Sequence, residues 1–187
     1  MTYCANSSAD ILIRMNAIQL NVAIIGAGLA GMACARHLQS DICKVTLFDA
    51  ARVSPGGAGL AIRQNMTVCD IWHEQGWRVA SLEAGAHVDD YDALVLALSA
   101  PHVAALLAPL LPATAMEVAA MERSEQRCIW LPAVQVGVCG DWLYGEQEGS
   151  AWLSGRALAA RLLSQRVADQ NSVEAVRPKV RGAPSTR

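Results

Sequence analysis

The stretch NVAIIGAGLAGMACARHLQS, Asn21 to Ser40, sets glycines at 26, 28 and 31 between an apolar run and an alanine-rich run. NVAII is short, apolar and β-branched, the pattern of a strand buried on both faces. LAGMACARHLQS has helix-forming composition, and Arg36 and His37 fall late, where cations suit a helix dipole. The chain must therefore turn from strand to helix within a few residues, which glycine permits. KVTLFD, Lys44–Asp49, reads as a second strand ending in an acid. The result is a β-turn-α-β unit, which commits the chain to an α/β fold with a parallel sheet.

The rest of the chain extends that unit. Ala51–Asn65 is loop-like, with Pro55 and three glycines. MTVCDIW and WRVASLE alternate as short strands, and AGAHV adds a third, so a small antiparallel β-meander is expected from about 66 to 88. YDALVLALS, Tyr91–Ser99, is another buried strand. The following helix should use Ser99 as its cap and carry Pro101 in its first turn. Residues 113–130 predict a helix or irregular connection, then a short strand near Cys128–Leu131. VQVGVCGD, Val134–Asp141, is a strand ending in Gly-Asp. Ser150–Asp169 is a long helix opening at a serine cap. One domain is expected over 21–170, between an extension at 1–20 and a polar tail at 171–187, both expected to be disordered. Met15 is an alternative start to that extension; a genuine short extension is the other reading.

Composition narrows the function. The 187 residues are 53% hydrophobic with a net charge of −2, so a sizeable core is available and nothing favours nucleic acid. No apolar stretch approaches the roughly 18–20 residues of a membrane span. The first twenty residues lack the apolar core of a signal peptide. The six cysteines form no C-x-x-C pair and lie in apolar segments, which predicts buried free thiols in a reducing, cytoplasmic setting. The four histidines show no ligand spacing, so no metal site is expected.

Each glycine of the first turn has a mechanical role in a dinucleotide site. Gly26 allows the tight turn, Gly28 lets a pyrophosphate approach the backbone, and Gly31 lets the helix pack closely. The helix N-terminus offers N–H groups to phosphates. Asp49 stands where an acid would bond the adenosine ribose. A glycine-rich corner of another α/β protein, or a methyltransferase turn, is the alternative. Three features favour FAD over a plain nicotinamide site: Gly56-Gly57 soon after Asp49, the inserted meander, and GVCGD before a helix start. The expected fold is thus a Rossmann-like, FAD-binding, three-layer α/β domain with a small meander.

VAIIGAGLAGMACARHL, VTLFDAARVSPGG and VGVCGDWLYGEQEGSAWLSGRALAARLL resemble the renalase-like branch of FAD-dependent amine oxidases, by segments across Asn21–Leu163. The resemblance implies that Gly26, Ala27, Gly28, Leu29, Ala30 and Gly31 cradle the pyrophosphate. Asp49 would hold the ribose, and Gly56 and Gly57 would lie along the phosphates. Val68 would meet the adenine through its backbone. Gly140 and Asp141 would hold the pyrophosphate or ribityl chain. Ala151, Trp152 and Leu153 would open a helix aimed at the flavin, whose dipole would stabilise reduced flavin. Trp72, Trp77, Trp130 and Trp142 read as packing residues.

Two departures stand out. Ala58 occupies the place where the family has an arginine, for which Arg63 is a substitute of uncertain register. Between the helix near Leu111 and the strand near Val134 the family carries most of its substrate domain, and here only a short connection joins them. Two functions follow. One is a minimal flavin oxidoreductase taking hydride from a reduced nicotinamide, NAD(P)H, or from an amine, with no catalytic residue assignable. The other is a flavin- or NAD(P)-binding module without its own substrate site. A plain NAD(P)-binding Rossmann protein is a third, weaker reading. The expected partner is a small-molecule substrate, with a homodimer expected if the missing cover leaves the flavin face and sheet edge exposed.

Overall fold

The computed structural model describes residues 19–40, 42–52, 60–87, 89–121, 126–143 and 148–176. The expectations for 1–18, for Gly56, Gly57 and Ala58, and for 177–187 lie outside these. The first strand, β1 (Leu20–Ile25), leads through the glycine turn into α1 (Leu29–Leu38) and back into β2 (Cys43–Asp49). Then come β3 (Ala61–Gln64), β4 (Val68–His73), β5 (Trp77–Ser81), β6 (Gly85–Ala86) and β7 (Ala93–Leu96). Helices α2 (Ala100–Leu107) and α3 (Pro112–Ala119) follow, with strands β8 (Ile129–Leu131) and β9 (Val136–Val138) after them. A 3-10 turn at Asp141–Leu143 precedes the last helix, α4 (Ser150–Val176).

Six strands form one sheet in the order β3-β2-β1-β7-β9-β8. All neighbours run parallel except β8, which is antiparallel to β9. The chain winds outward from β1 through β2 to β3, then returns on the other side of β1 as β7. Strand order therefore reverses between β1 and β7, and their carboxyl ends diverge at a switch point. The central strands need both faces covered, and β1, β2 and β7 are accordingly almost wholly apolar and buried.

One face carries α1 and α4. Along α4, residues 150, 154, 155, 158, 159 and 162 are buried, one face at helical spacing. Leu158 and Leu162 pack with Val22, Ile24 and Val95 of the sheet and Cys34 of α1. Each such leucine contributes about 1.5–3 kcal/mol on burial. The opposite face carries the three-stranded antiparallel sheet β4-β5-β6 with α2 and α3. Ile71, Trp77 and Val79 of that small sheet bury against Phe48, Ile25 and Leu94. The Trp77 indole N–H donates to the Val134 carbonyl at 2.8 Å, tying the two sheets together. The molecule is a three-layer α/β fold with a separate antiparallel sheet, as the sequence predicts.

Details differ from the sequence expectations. The end of the supposed loop at 51–65 is strand β3, which pairs with β2 at the sheet edge. Ser99 sits at the α2 N-cap, but its hydroxyl lies 2.7 Å from His102 Nδ1 and makes no cap bond to the backbone. Ser150 is the first residue of α4, and Gly149 takes the cap position, its carbonyl accepting from Leu153 N–H at 3.0 Å. Helix α4 continues to Val176, beyond the expected boundary at 170. Cys34, Cys43, Cys128 and Cys139 are buried free thiols, whereas Cys69 is exposed on the meander.

Candidate functional site

The glycine turn is built by close approaches that only glycine allows. Gly26 has φ +102°, and a Cβ there would lie 2.3 Å from the Ala97 carbonyl oxygen. A Cβ on Gly31 would lie 1.9 Å from the Gly26 carbonyl oxygen, so the helix abuts the turn directly. At Gly28 the opposite holds: nothing lies within 4 Å of where a Cβ would be. Two glycines are thus required by the protein's own packing, and the middle one faces open space. Helix α1 starts there, with Gly28 as its N-cap, no acid in its first turn, and Arg36 and His37 in its last. No acid of α1 itself offsets its dipole at the turn, where N–H groups lack helical carbonyl partners.

Asp49, at the carboxyl end of β2, reaches across to this turn. One carboxylate oxygen accepts from Ala27 N–H at 2.6 Å and the other from Ala51 N–H at 2.8 Å. Both bonds charge-assist the turn, and lone pairs remain for further donors. Asn65, with φ +53°, turns the chain after β3 so that Met66 N–H bonds the Asp49 carbonyl at 2.9 Å. That brings the start of the meander beside the acid. Thr67 is fixed in turn by Glu83, whose carboxylate accepts from its N–H and its hydroxyl, both at 2.7 Å. Those bonds hold the Glu83 carboxyl below its ordinary range.

These segments enclose an open cleft of about 290 Å³. Its walls are Ile25 and Gly26 from β1, Phe48, Asp49 and Ala50 from β2, Met66, Thr67 and Val68 from the meander, Leu98 after β7, and His102 on α2. The cleft sits at the carboxyl ends of the strands, beside the switch point. Gly26, Asp49 and Val68, distant in sequence, are brought together here. Met66, Thr67, Leu98 and His102 were not singled out by sequence reasoning. The signal for Leu98 and His102 was available: they follow the strand that flanks the switch point, where ligands of such sheets bind.

The second set of expected residues lies apart from this cleft. Gly140 is buried, and its N–H donates to the Ser154 hydroxyl at 3.0 Å, so that amide already has an acceptor. A Cβ on Gly140 would meet the Trp142 indole nitrogen at 2.5 Å. Trp142 packs there because its N–H donates to the Leu98 carbonyl at 3.0 Å, pinning one wall of the cleft. Asp141 is exposed and bonds its neighbour Trp142 N–H at 2.9 Å. Trp152 stacks edge-on to His37 of α1, centroids 5.7 Å apart, with Arg156 over its face. Ala151 and Leu153 flank it, half-buried in the first turn of α4. Arg63 pairs with Asp89 and lies over the Phe48 ring, 5.7 Å from its centroid. It braces the joint between sheet and meander and does not line the cleft.

Residues 24–108 match the model of a family described as an NAD(P)-binding Rossmann-like domain. No curated protein matches the chain. Among solved structures, THI4 of Thermovibrio ammonificans is 14% identical, with 84% of this chain and 94% of that one covered and a TM-score of 0.52. An NAD-dependent persulfide reductase from A. fulgidus is 17% identical over 84% of this chain and 34% of its own, with a TM-score of 0.37. FqzB is 12% identical over 42% of this chain and 35% of its own, with a TM-score of 0.35. The chain thus spans about a third of the length of the last two. What THI4 shares with this chain is the fold. No helix among the described residues is long and apolar enough to cross a membrane. In sheet order, in glycine turn and in the sequence of residues 24–108, the chain is similar to an NAD(P)-binding Rossmann-like domain.

Proposed function

We propose that the chain binds an adenine dinucleotide, FAD, and serves as a flavin-dependent oxidoreductase of the renalase-like, amine oxidase type. The observation that carries this reading is the convergence of Gly26, Asp49 and Val68 on one cleft, with Gly28 open beside it. These residues fit the adenosine half of such a ligand. The Asp49 carboxylate would accept from the ribose hydroxyls, and its charge disfavours a 2′-phosphate, so an unphosphorylated ribose suits it. The space at Gly28 admits a phosphate to the N-terminus of α1. Val68 would meet the adenine through its backbone. Gly56, Gly57, Asp141 and the first turn of α4, Ala151 to Leu153, remain the candidates for the distal half.

FAD, when bound, supplies hydride acceptance from a reduced nicotinamide such as NAD(P)H or from an amine. This chain's residues bind and orient it; none is assigned a proton-transfer role. A second reading, a flavin- or NAD(P)-binding module whose substrate site comes from elsewhere, rests on α3 and β8. They fill the interval between α2 and β9 and pack into the core, so among the described residues they form no cover over the cleft.

The test is an absorbance spectrum of the purified chain, before and after reconstitution with FAD, followed by anaerobic NADH and amines. The two absorbance bands of oxidised flavin, bleached by NADH or an amine, are the expected outcome. Bands that do not bleach favour the binding module. A chain that stays colourless after reconstitution and binds NADH overturns the flavin assignment.

A further inference from the structure

Among the described residues three polar side chains line the cleft: Asp49, Thr67 and His102. Two are engaged with the protein. Asp49 accepts from Ala27 and Ala51, and Thr67 donates both its N–H and its hydroxyl to Glu83. His102 is different. Its Nδ1 lies 2.7 Å from the Ser99 hydroxyl, and among the described residues its Nε2 has no hydrogen-bond partner. The Ser99 hydroxyl can donate to Nδ1 or accept from it; the first arrangement places the ring proton on Nε2, and an anion at that edge favours it. In that arrangement the unbonded ring nitrogen is an N–H donor on a residue that lines the cleft.

Sheet order says which part of a nucleotide that donor would meet. Asp49 ends β2, Gly26 ends β1, and Leu98 and His102 follow β7, in the spatial order β2-β1-β7. Asp49 and His102 therefore flank the glycine turn from opposite sides. A ligand with its ribose at Asp49 and a phosphate over the turn extends toward His102. Among the described residues no lysine or arginine lines the cleft, and Arg63 is drawn off to Asp89. The wall itself is held, since Trp142 bonds the Leu98 carbonyl at 3.0 Å.

We propose that His102 is a phosphate-binding residue, donating from Nε2 to a phosphate oxygen of the dinucleotide. The proposal rests on the reading that the cleft holds an adenine nucleotide. The test is calorimetric titration of the full chain with adenosine and with ADP, for the unaltered protein, His102→Ala and His102→Gln. His102 is exposed, so both variants should keep the unaltered melting temperature. A lost hydrogen bond to a charged group predicts ADP affinity about ten- to a hundredfold weaker in His102→Ala. Adenosine affinity should be unchanged, and the glutamine amide should restore part of the loss. Equal loss for adenosine and ADP, or no loss for either, overturns the phosphate assignment while leaving the cleft as a nucleotide site. An unaltered chain that binds neither ligand overturns both.

Discussion

At the residue scale, the three glycines of the turn do separable work. Gly26 and Gly31 answer to the protein, because any Cβ there strikes a backbone carbonyl oxygen. Gly28 answers to whatever occupies the space in front of it, and its φ of −66° suits any residue. Gly31→Ala should therefore destabilise the fold by about 3 kcal/mol or more, the upper range for overpacking. Gly28→Ala should cost about 1 kcal/mol at most, the scale of a changed N-cap, yet abolish nucleotide binding. Thermal melts and ligand titration on the two variants check this. A Gly28→Ala protein that binds normally would mean no phosphate approaches that backbone. The sequence motif does not distinguish these roles; the distances to Ala97 and Gly26 do.

At the element scale, the α1–α4 crossing is as close as the turn. A Cβ on Gly155 would lie 2.0 Å from the Ala30 carbonyl oxygen, so α4 packs on α1 with almost no side chain between them. Ala30 is in the first turn of α1, next to the amides proposed to receive a phosphate. Gly155→Ala should push the helices apart and lower stability by about 1–3 kcal/mol. It should also weaken nucleotide binding, although Gly155 lines no part of the cleft. Denaturant unfolding read beside ligand affinity checks both effects. A variant that loses stability with affinity intact would show that α4 does not hold the turn in place. The long helix itself is legible in the sequence from its apolar spacing. Its partner is not, because Gly155 sits in an ordinary helical run and nothing local marks it as a contact.

Across the whole molecule, the cleft depends on docking the meander onto the main sheet, and charged groups fix the meander's own entry and exit. Glu83 grips Thr67 through two hydrogen bonds, which favour the ionised carboxyl in the folded protein. Asp90 is held low in the same way by Arg78. For a carboxyl depressed on folding, the stabilisation is present above its unfolded pKa, about 4.3 for glutamate. It is lost as pH falls through the folded value. Stability should therefore drop below about pH 4.3, and Glu83→Gln should flatten that part of the profile. Chemical denaturation across the acid range checks the slope; an unchanged profile in the variant would mean that Glu83 does not hold the meander's entry.

The sequence by itself determined most of the strands, the helices α1, α2 and α4, the glycine turn and the meander, because these follow from local spacing, apolar runs and the absence of a Cβ. It also placed Gly26 and Asp49 together, since a strand-turn-helix-strand unit has few ways to bring its acid beside its turn; Val68 was reached only through the family resemblance. It did not yield β3, a short edge strand whose pairing with β2 outweighs a loop-like composition. Nor did it yield the fourth wall of the cleft. His102 stands beside Gly26 only because the chain, after building β2, β3 and the meander, returns to the other side of β1. Arg63 turned to Asp89, Trp142 to the Leu98 carbonyl, and the Gly140 amide to Ser154. Those choices belong to the tertiary structure, because each joins groups far apart in sequence whose partners exist only once the layers have packed.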